Sequence, residues 1–202
     1  MKTLEVSQLN RVITNYPSVN WALLAQAQNY YNEAGYQYCE VPYMVPEEYS
    51  LLTKPHNDQS FVLQHDLFLK QPHELVGSAE QGFIYLMATN QLTHSKLCSI
   101  TPCFRTEQYS STHLPWFMKC ELFHLSQSKE DCQLMIDCAL KFFSKYVPTK
   151  NLEVVQTSEE SWDINLNHLE IGSFGIRHFE FGTFIYGTGL ALPRFETAKH
   201  YG

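Results

Sequence analysis

Basic residues are scarce. Lys and Arg number 14 against 21 Asp and Glu, for a formal charge of −7 over 202 residues. A protein that captures polyanions by charge alone carries a basic face. Broad electrostatic capture of nucleic acid is therefore not expected, although a local basic patch is not excluded. None of the six cysteines, at positions 39, 98, 103, 120, 132 and 138, forms a CxxC pair. A chain of this length builds a core without disulfide staples, so they are read as reduced thiols of a cytoplasmic protein. No apolar run is long enough for a signal peptide or a membrane span, and no repeat or low-complexity stretch is visible. What is present is core material. Hydrophobic residues make up 44%, with 13 Phe and 12 Tyr, the composition of a folded domain. Residues 1–202 are expected to form one domain.

Periodicity suggests a helix capped by Ser18 and running to Ala34, with Trp21, Leu24, Ala25, Gln28 and Tyr31 at helical spacing and Gly35 at its stop. A strand from Tyr36 to Val41 runs into Pro42. Phe61–Gln64 and Leu67–Lys70 flank His65-Asp66 and read as a hairpin. Glu80 to Ser95 reads as a helix. Leu97–Arg105 and Phe117–Ser126 read as long strands joined by a polar loop. Ser128 caps an expected helix from Lys129 to Tyr146. Glu153–Gln156, Ile164–Leu166 and Glu170–Ser173 are further strand candidates, with Trp162 in the link between the first two. Gly187 to Tyr201 reads as a glycine turn entering a helix. Strands in the middle flanked by helices indicate an α+β fold with a largely antiparallel sheet.

Three segments carry chemistry. The first is Gly35 to Pro42. The second is Phe104-Arg105-Thr106-Glu107, a loop, then Phe117-Met118-Lys119-Cys120-Glu121-Leu122. The third is Gly187-Thr188-Gly189-Leu190-Ala191-Leu192-Pro193-Arg194. Alternation places Arg105 and Glu107 on one face of their strand, and Phe117, Lys119 and Glu121 on one face of the next. An arginine fork suits phosphate oxygens, and a flat Phe suits a base. A helix start carrying Arg194 suits a polyphosphate. Each piece has a plainer reading: Arg-x-Glu as a surface ion pair, Gly-x-Gly as a turn, and Gly35 with Pro42 as a helix stop and an edge strand.

In this order the segments resemble the three signature motifs of class II aminoacyl-tRNA synthetases. Gly-Thr-Gly-Leu-Ala…Arg is especially similar to the seryl enzymes. Gly77-Ser78-Ala79-Glu80 resembles their Thr-x-Glu loop, and Glu170-Ile171-Gly172-Ser173 their Glu-x-Ser-Ser strand. The resemblance spans roughly residues 20 to 200. It implies a class II synthetase-type antiparallel sheet flanked by helices, and activation of a small amino acid by ATP and Mg2+ to an aminoacyl adenylate. It implies that Arg105 holds the α-phosphate, Glu107 meets the adenine amino group and Phe117 stacks on the ring. Arg194 covers the other face and reaches the γ-phosphate. Glu170 holds magnesium with Ser173 beside it. Glu80, next to Ser78, accepts the substrate ammonium, while Glu121, Tyr186 and Thr188 line its pocket. Arg105, Arg194 and Glu170 are the catalytic set. The first motif implies a homodimer, with Tyr30 and Tyr31 suited to its surface.

The chain departs from the seryl pattern at several points. No tRNA-binding arm or anticodon domain is evident, the loop Gln108–Trp116 is short, and the arginine usual before the Phe is absent, leaving His113 as the nearest polar residue for ATP. Tyr186 stands where a small polar residue is usual, and Gly172 replaces a serine. Zinc, held in some relatives by Cys, Glu and Cys, is not expected, because Glu80 takes the first cysteine's neighbourhood and no cysteine follows Cys138. With 14 bases and no continuous basic track, the chain alone is not expected to bind tRNA tightly. The acceptor stays open between tRNA, a carrier protein and a small molecule. The competing reading is a catalytically idle paralogue acting as a regulatory or binding subunit.

Overall fold

The computed structural model describes residues 18–53, 62–63, 72–105 and 114–200. In chain order the elements are α1 (Trp21–Glu33), β1 (Gln37–Tyr38), β2 (Met44–Pro46), α2 (Glu47–Ser50), β3 (Val62–Leu63), β4 (His73–Leu75), α3 (Ala79–Ala88), β5 (Lys96–Phe104), β6 (Trp116–His124), α4 (Lys129–Phe143), β7 (Leu152–Ser158), β8 (Ser161–Leu166), β9 (Leu169–Phe179), β10 (Gly182–Leu192) and α5 (Arg194–Lys199). Short 3-10 turns follow α2 and α4. No helix among the described residues is long and apolar enough to cross a membrane.

Seven strands form one sheet in the order β1-β5-β6-β10-β9-β8-β7. Every neighbouring pair is antiparallel except β1 with β5. The expected α+β fold with a largely antiparallel sheet is what forms. A smaller antiparallel sheet, β2-β4-β3, lies beside it. The expected hairpin over Phe61–Lys70 falls outside the described residues apart from Val62 and Leu63.

One face of the large sheet is sealed. Leu24, Ala27 and Tyr31 of α1, Cys132, Met135, Ile136, Ala139 and Phe142 of α4, and Phe195 and Ala198 of α5 pack against Cys98, Cys120, Leu122, Ile164, Phe174, Ile185 and Leu190. The other face is covered only in part by α3, whose Phe83 stacks on Phe123, which in turn stacks on Phe184.

Several boundaries differ from the sequence reading for local reasons. Asn20, not Ser18, caps α1: its side chain accepts from the Leu23 amide at 3.0 Å and donates to Glu196 of α5 at 2.9 Å. Trp21 and Ala25 of the expected stripe are exposed, because the buried stripe is Leu23, Leu24, Ala27 and Tyr31. Helix α3 ends at Ala88 rather than Ser95. Thr89 Oγ1 folds back onto the Tyr85 carbonyl at 2.7 Å, and Asn90 turns left-handed at φ 56°. Ser128 caps α4 as expected, accepting from Asp131. Trp162 lies within β8, not in a link.

The largest correction concerns the glycines of the third motif. They do not form a turn. Gly187 and Gly189 lie inside β10, and the helix begins only at Arg194. A Cβ on Gly187 would stand 2.5 Å from the Phe174 ring and 2.6 Å from the Met135 sulfur. One on Gly189 would stand 2.6 Å from the Tyr31 ring. Bulky core groups press onto bare backbone, and only glycine leaves that room.

Candidate active site

Strand alternation, adjusted by two bulges, gathers polar residues on the half-open face. On β6, Met118, Cys120 and Leu122 enter the sealed core, so Phe117, Lys119 and Glu121 point the other way. Thr188 of β10 pairs with Glu121 and shares its face. The register shift at Gly189 then returns Leu190 to the core opposite Cys120. On β9, Ser173 pairs with Asp163 and Gly172 with Ile164, but Glu170 pairs with Asn165, so Ile171 is the extra residue. Without that bulge, Glu170 and Ser173, three apart, would point to opposite faces. With it, they share one.

The loop before α3 is tied down from three sides. Gln81 accepts from the Gly77 amide at 2.7 Å and donates to the Ser50 carbonyl at 3.0 Å. The Phe104 amide donates to Val76, and Arg105 Nε donates to the Gly77 carbonyl at 3.3 Å. Ser78 caps α3 and donates to Glu121 Oε1 at 2.6 Å. The other Glu121 oxygen accepts from the Ala79 amide, and Lys119 pairs with Oε1 at 3.1 Å. Side-chain exposures of 13% for Lys119 and 8% for Glu121 make this a desolvated, fully matched pair.

Arg105 lies over Phe117, its guanidinium carbon 5.2 Å from the ring centroid. An arginine thus occupies one face of the ring expected to stack on adenine. Arg194 Nη1 approaches Glu170 Oε1 at 3.4 Å, joining the phosphate arginine and the metal acid expected from sequence. Glu107 and His113 lie outside the described residues.

The partner of Glu80 is one that sequence reasoning missed. Arg177 Nε donates to Glu80 Oε1 at 3.0 Å, and its guanidinium carbon lies 4.7 Å above the Tyr186 ring. Burial pushes the Glu80 carboxyl above its usual range, against the pull of Arg177. Burial likewise raises the Tyr186 phenol, whose oxygen lies within reach of Ser161 and Ser173. Asp163 was also missed. Burial raises its carboxyl, Ser173 offsets part of that shift, and the charge of Glu170 adds to it. Alternation within β8 and β9 was the only signal for either residue, and neither strand's full extent was read.

The expected residues Ser78, Glu80, Arg105, Phe117, Glu121, Glu170, Ser173, Tyr186, Thr188 and Arg194 therefore lie on the half-open face, on the loop above it or at the strand ends beside it. Tyr30 and Tyr31 do not form a surface. Tyr31 is fully buried, with its hydroxyl on the Gly189 carbonyl at 2.9 Å, and Tyr30 packs on Phe142 under Lys145.

No protein-family model matches the sequence, and no curated protein matches it. Solved structures do match in shape. A pyrrolysyl-tRNA synthetase of Desulfitobacterium hafniense superimposes with a TM-score of 0.68 at 15% identity, over 96% of this chain and 73% of that one. Seryl-tRNA synthetase from Pyrococcus horikoshii complexed with ATP gives 0.66 at 17%, over 89% of this chain and 49% of that one. Giardia lamblia prolyl-tRNA synthetase in complex with prolyl-adenylate gives 0.69 at 10%, over 88% and 44%. At such identities the likeness is one of fold. The chain has the fold of class II aminoacyl-tRNA synthetase catalytic domains, and these neighbours span three different amino-acid specificities.

Proposed function

We propose that this chain activates an amino acid with ATP, forming an aminoacyl adenylate and pyrophosphate. The observation that carries the reading is the gathering of two phosphate-type arginines, an aromatic and a matched Lys–Glu pair at one sheet face of a synthetase fold. A carboxylate oxygen of the amino acid attacks the α-phosphorus. The new P–O bond forms as the bond to the bridging oxygen breaks, and pyrophosphate leaves. Such chemistry depends on positioning and charge stabilisation, not on a general base. Arg105 meets the charge that develops on the α-phosphate, and Phe117 offers the ring face opposite Arg105 to adenine. Arg194 releases Glu170 to take the γ-phosphate. Glu107 and His113 remain assigned to adenine and pyrophosphate on the resemblance alone.

Magnesium suits this site as the counter-ion of the triphosphate. Such an ion takes one or two carboxylates together with phosphate oxygens, and Glu170 would hold it here. Glu170, with Asp163 close enough to feel its charge, supplies that number. No three His, Cys, Asp or Glu side chains gather as a metal cage among the described residues.

The reading extends to a homodimer. Trp21, Tyr38 and Tyr43 are 61%, 39% and 44% exposed. With Leu24, Ile100 and Met118 they line an open groove of about 480 Å3 beside β1, the end strand of the sheet. An apolar groove on a sheet edge calls for cover. The acceptor of the activated amino acid is proposed to be something other than free tRNA, or tRNA presented by another protein. Sub-micromolar, salt-sensitive binding of total tRNA followed by its aminoacylation would overturn that.

Amino-acid-dependent exchange of pyrophosphate into ATP, run over all common amino acids, tests the main proposal. Exchange with at least one is expected. A folded sample that binds ATP but exchanges with none is the idle paralogue.

A further inference from the structure

We propose that Arg177 reads the end of the substrate's side chain, and that the amino acid activated here carries a side-chain carboxylate. The inference rests on the activation reading and names its substrate class.

Arg177 stands on β9 on the same face as Ser173, four strand residues or roughly 13 Å further along. That offset separates it from the Arg194–Glu170 end of the strand, where the triphosphate is placed. Two contacts fix its guanidinium plane: the bond from Nε to Glu80 and the stack over Tyr186. Only Nε is used. The terminal nitrogens make no hydrogen bond to a described residue, and the side chain keeps 37% of its surface exposed. A guanidinium held by one edge and one face presents its remaining fork as a rigid pair of donors, the match for a carboxylate.

Neighbouring charges are already matched. Glu121 is saturated by Lys119, Ser78 and the Ala79 amide. Glu80 neutralises Arg177 through one oxygen but offers nothing to its far edge. An apolar side chain docking there strips water from several N–H groups and returns no acceptor. A carboxylate returns two. Tyr186, bulkier than the residue expected at its position, then acts as the platform for this arginine.

The test compares aspartate and glutamate with the near-isosteric leucine and methionine. Each is titrated calorimetrically into the chain with a non-hydrolysable ATP analogue, and each is also run in pyrophosphate exchange. One acidic amino acid is expected to bind roughly ten- to hundredfold more tightly than its uncharged counterpart. Arg177→Met should erase that preference; comparing the four amino acids within the variant cancels any loss common to them all through Glu80. Arg177→Lys, which keeps the charge and loses the fork, should fall between. Melting curves check the fold of each variant; if Arg177→Met does not fold, the lysine variant and the wild-type panel decide. Tighter binding of the uncharged partners, or no binding of any of the four, overturns the inference. Exchange with uncharged amino acids alone overturns it while leaving activation standing. Arginine-dependent binding of an acidic amino acid without exchange overturns activation, and leaves standing only that Arg177 recognises a side-chain carboxylate.

Discussion

The two faces of the seven-stranded sheet have opposite constitutions although the same strands supply both. The sealed face is lined by Cys, Met, Leu, Ile and Phe under three helices. The half-open face carries Lys119, Glu121, Thr188, Ser173, Asp163 and Arg177, with only one short helix over part of it. Along β6 a single step changes the environment, from Cys120 in the core to Glu121 in an ion pair. One face is therefore organised to hold the chain together. The other keeps charged groups partly dry and fixed in place, at a cost in stability that the first face offsets.

That contrast breaks most visibly in the core. Phe174 is fully buried between β10 and α4. Phe174→Ala should cost about 3–5 kcal/mol of stability, a drop of roughly ten degrees in Tm, measured by calorimetry. A shift of only a degree or two would mean the face is loosely packed. Arg105→Ala should invert the pattern. Exchange turnover should fall about a hundredfold or more, beyond any loss of ATP affinity, while Tm moves by at most a few degrees. Near-normal turnover would remove Arg105 from the chemistry.

Smaller effects sharpen the comparison further. Trp21→Glu places a charge in the α1 groove and should convert a dimer to monomer in light scattering at micromolar concentration, with little change in the monomer's fold. A wild type that is already monomeric discards the dimer. The thiols report how dry each position is. Burial raises Cys132 to about 11 and Cys98 to about 12, and pushes the half-buried Cys39 and Cys138 upward too. A raised thiol is protonated at neutral pH, and its thiolate fraction grows as pH rises toward the shifted value. Labelling of the native protein by a disulfide reagent should therefore be slow, confined to Cys39 and Cys138, and still accelerating above about pH 9.5, where an ordinary exposed thiol has levelled off. Rapid reaction of Cys98, Cys120 or Cys132 would show that the sealed face opens.

The strand pair β5–β6 and the cap at Ser128 were legible from alternation and a capping residue, because both are local signals. The third motif was misread for a reason that sequence does not carry. Two glycines two apart specify room, not direction, and the atoms that fill the room are Tyr31, Met135 and Phe174, up to 158 positions away in the chain. Glu80 was recognised as a site residue, but its partner Arg177 lies 97 positions on, in a strand whose second half had no motif.

By itself the sequence determined which residue types were available, the run of alternating strands and capped helices, and the order of three segments suited to a nucleotide. Those follow from side-chain period and backbone preference, which act over a few residues. Tertiary structure alone decided that a bulge at Ile171 would turn Glu170 and Ser173 to one face, that Lys119 would neutralise Glu121, and that Glu80 and Tyr186 would hold Arg177 by one edge and one face. Each depends on strands brought into register from distant parts of the chain, and such contacts exist only once the sheet has closed.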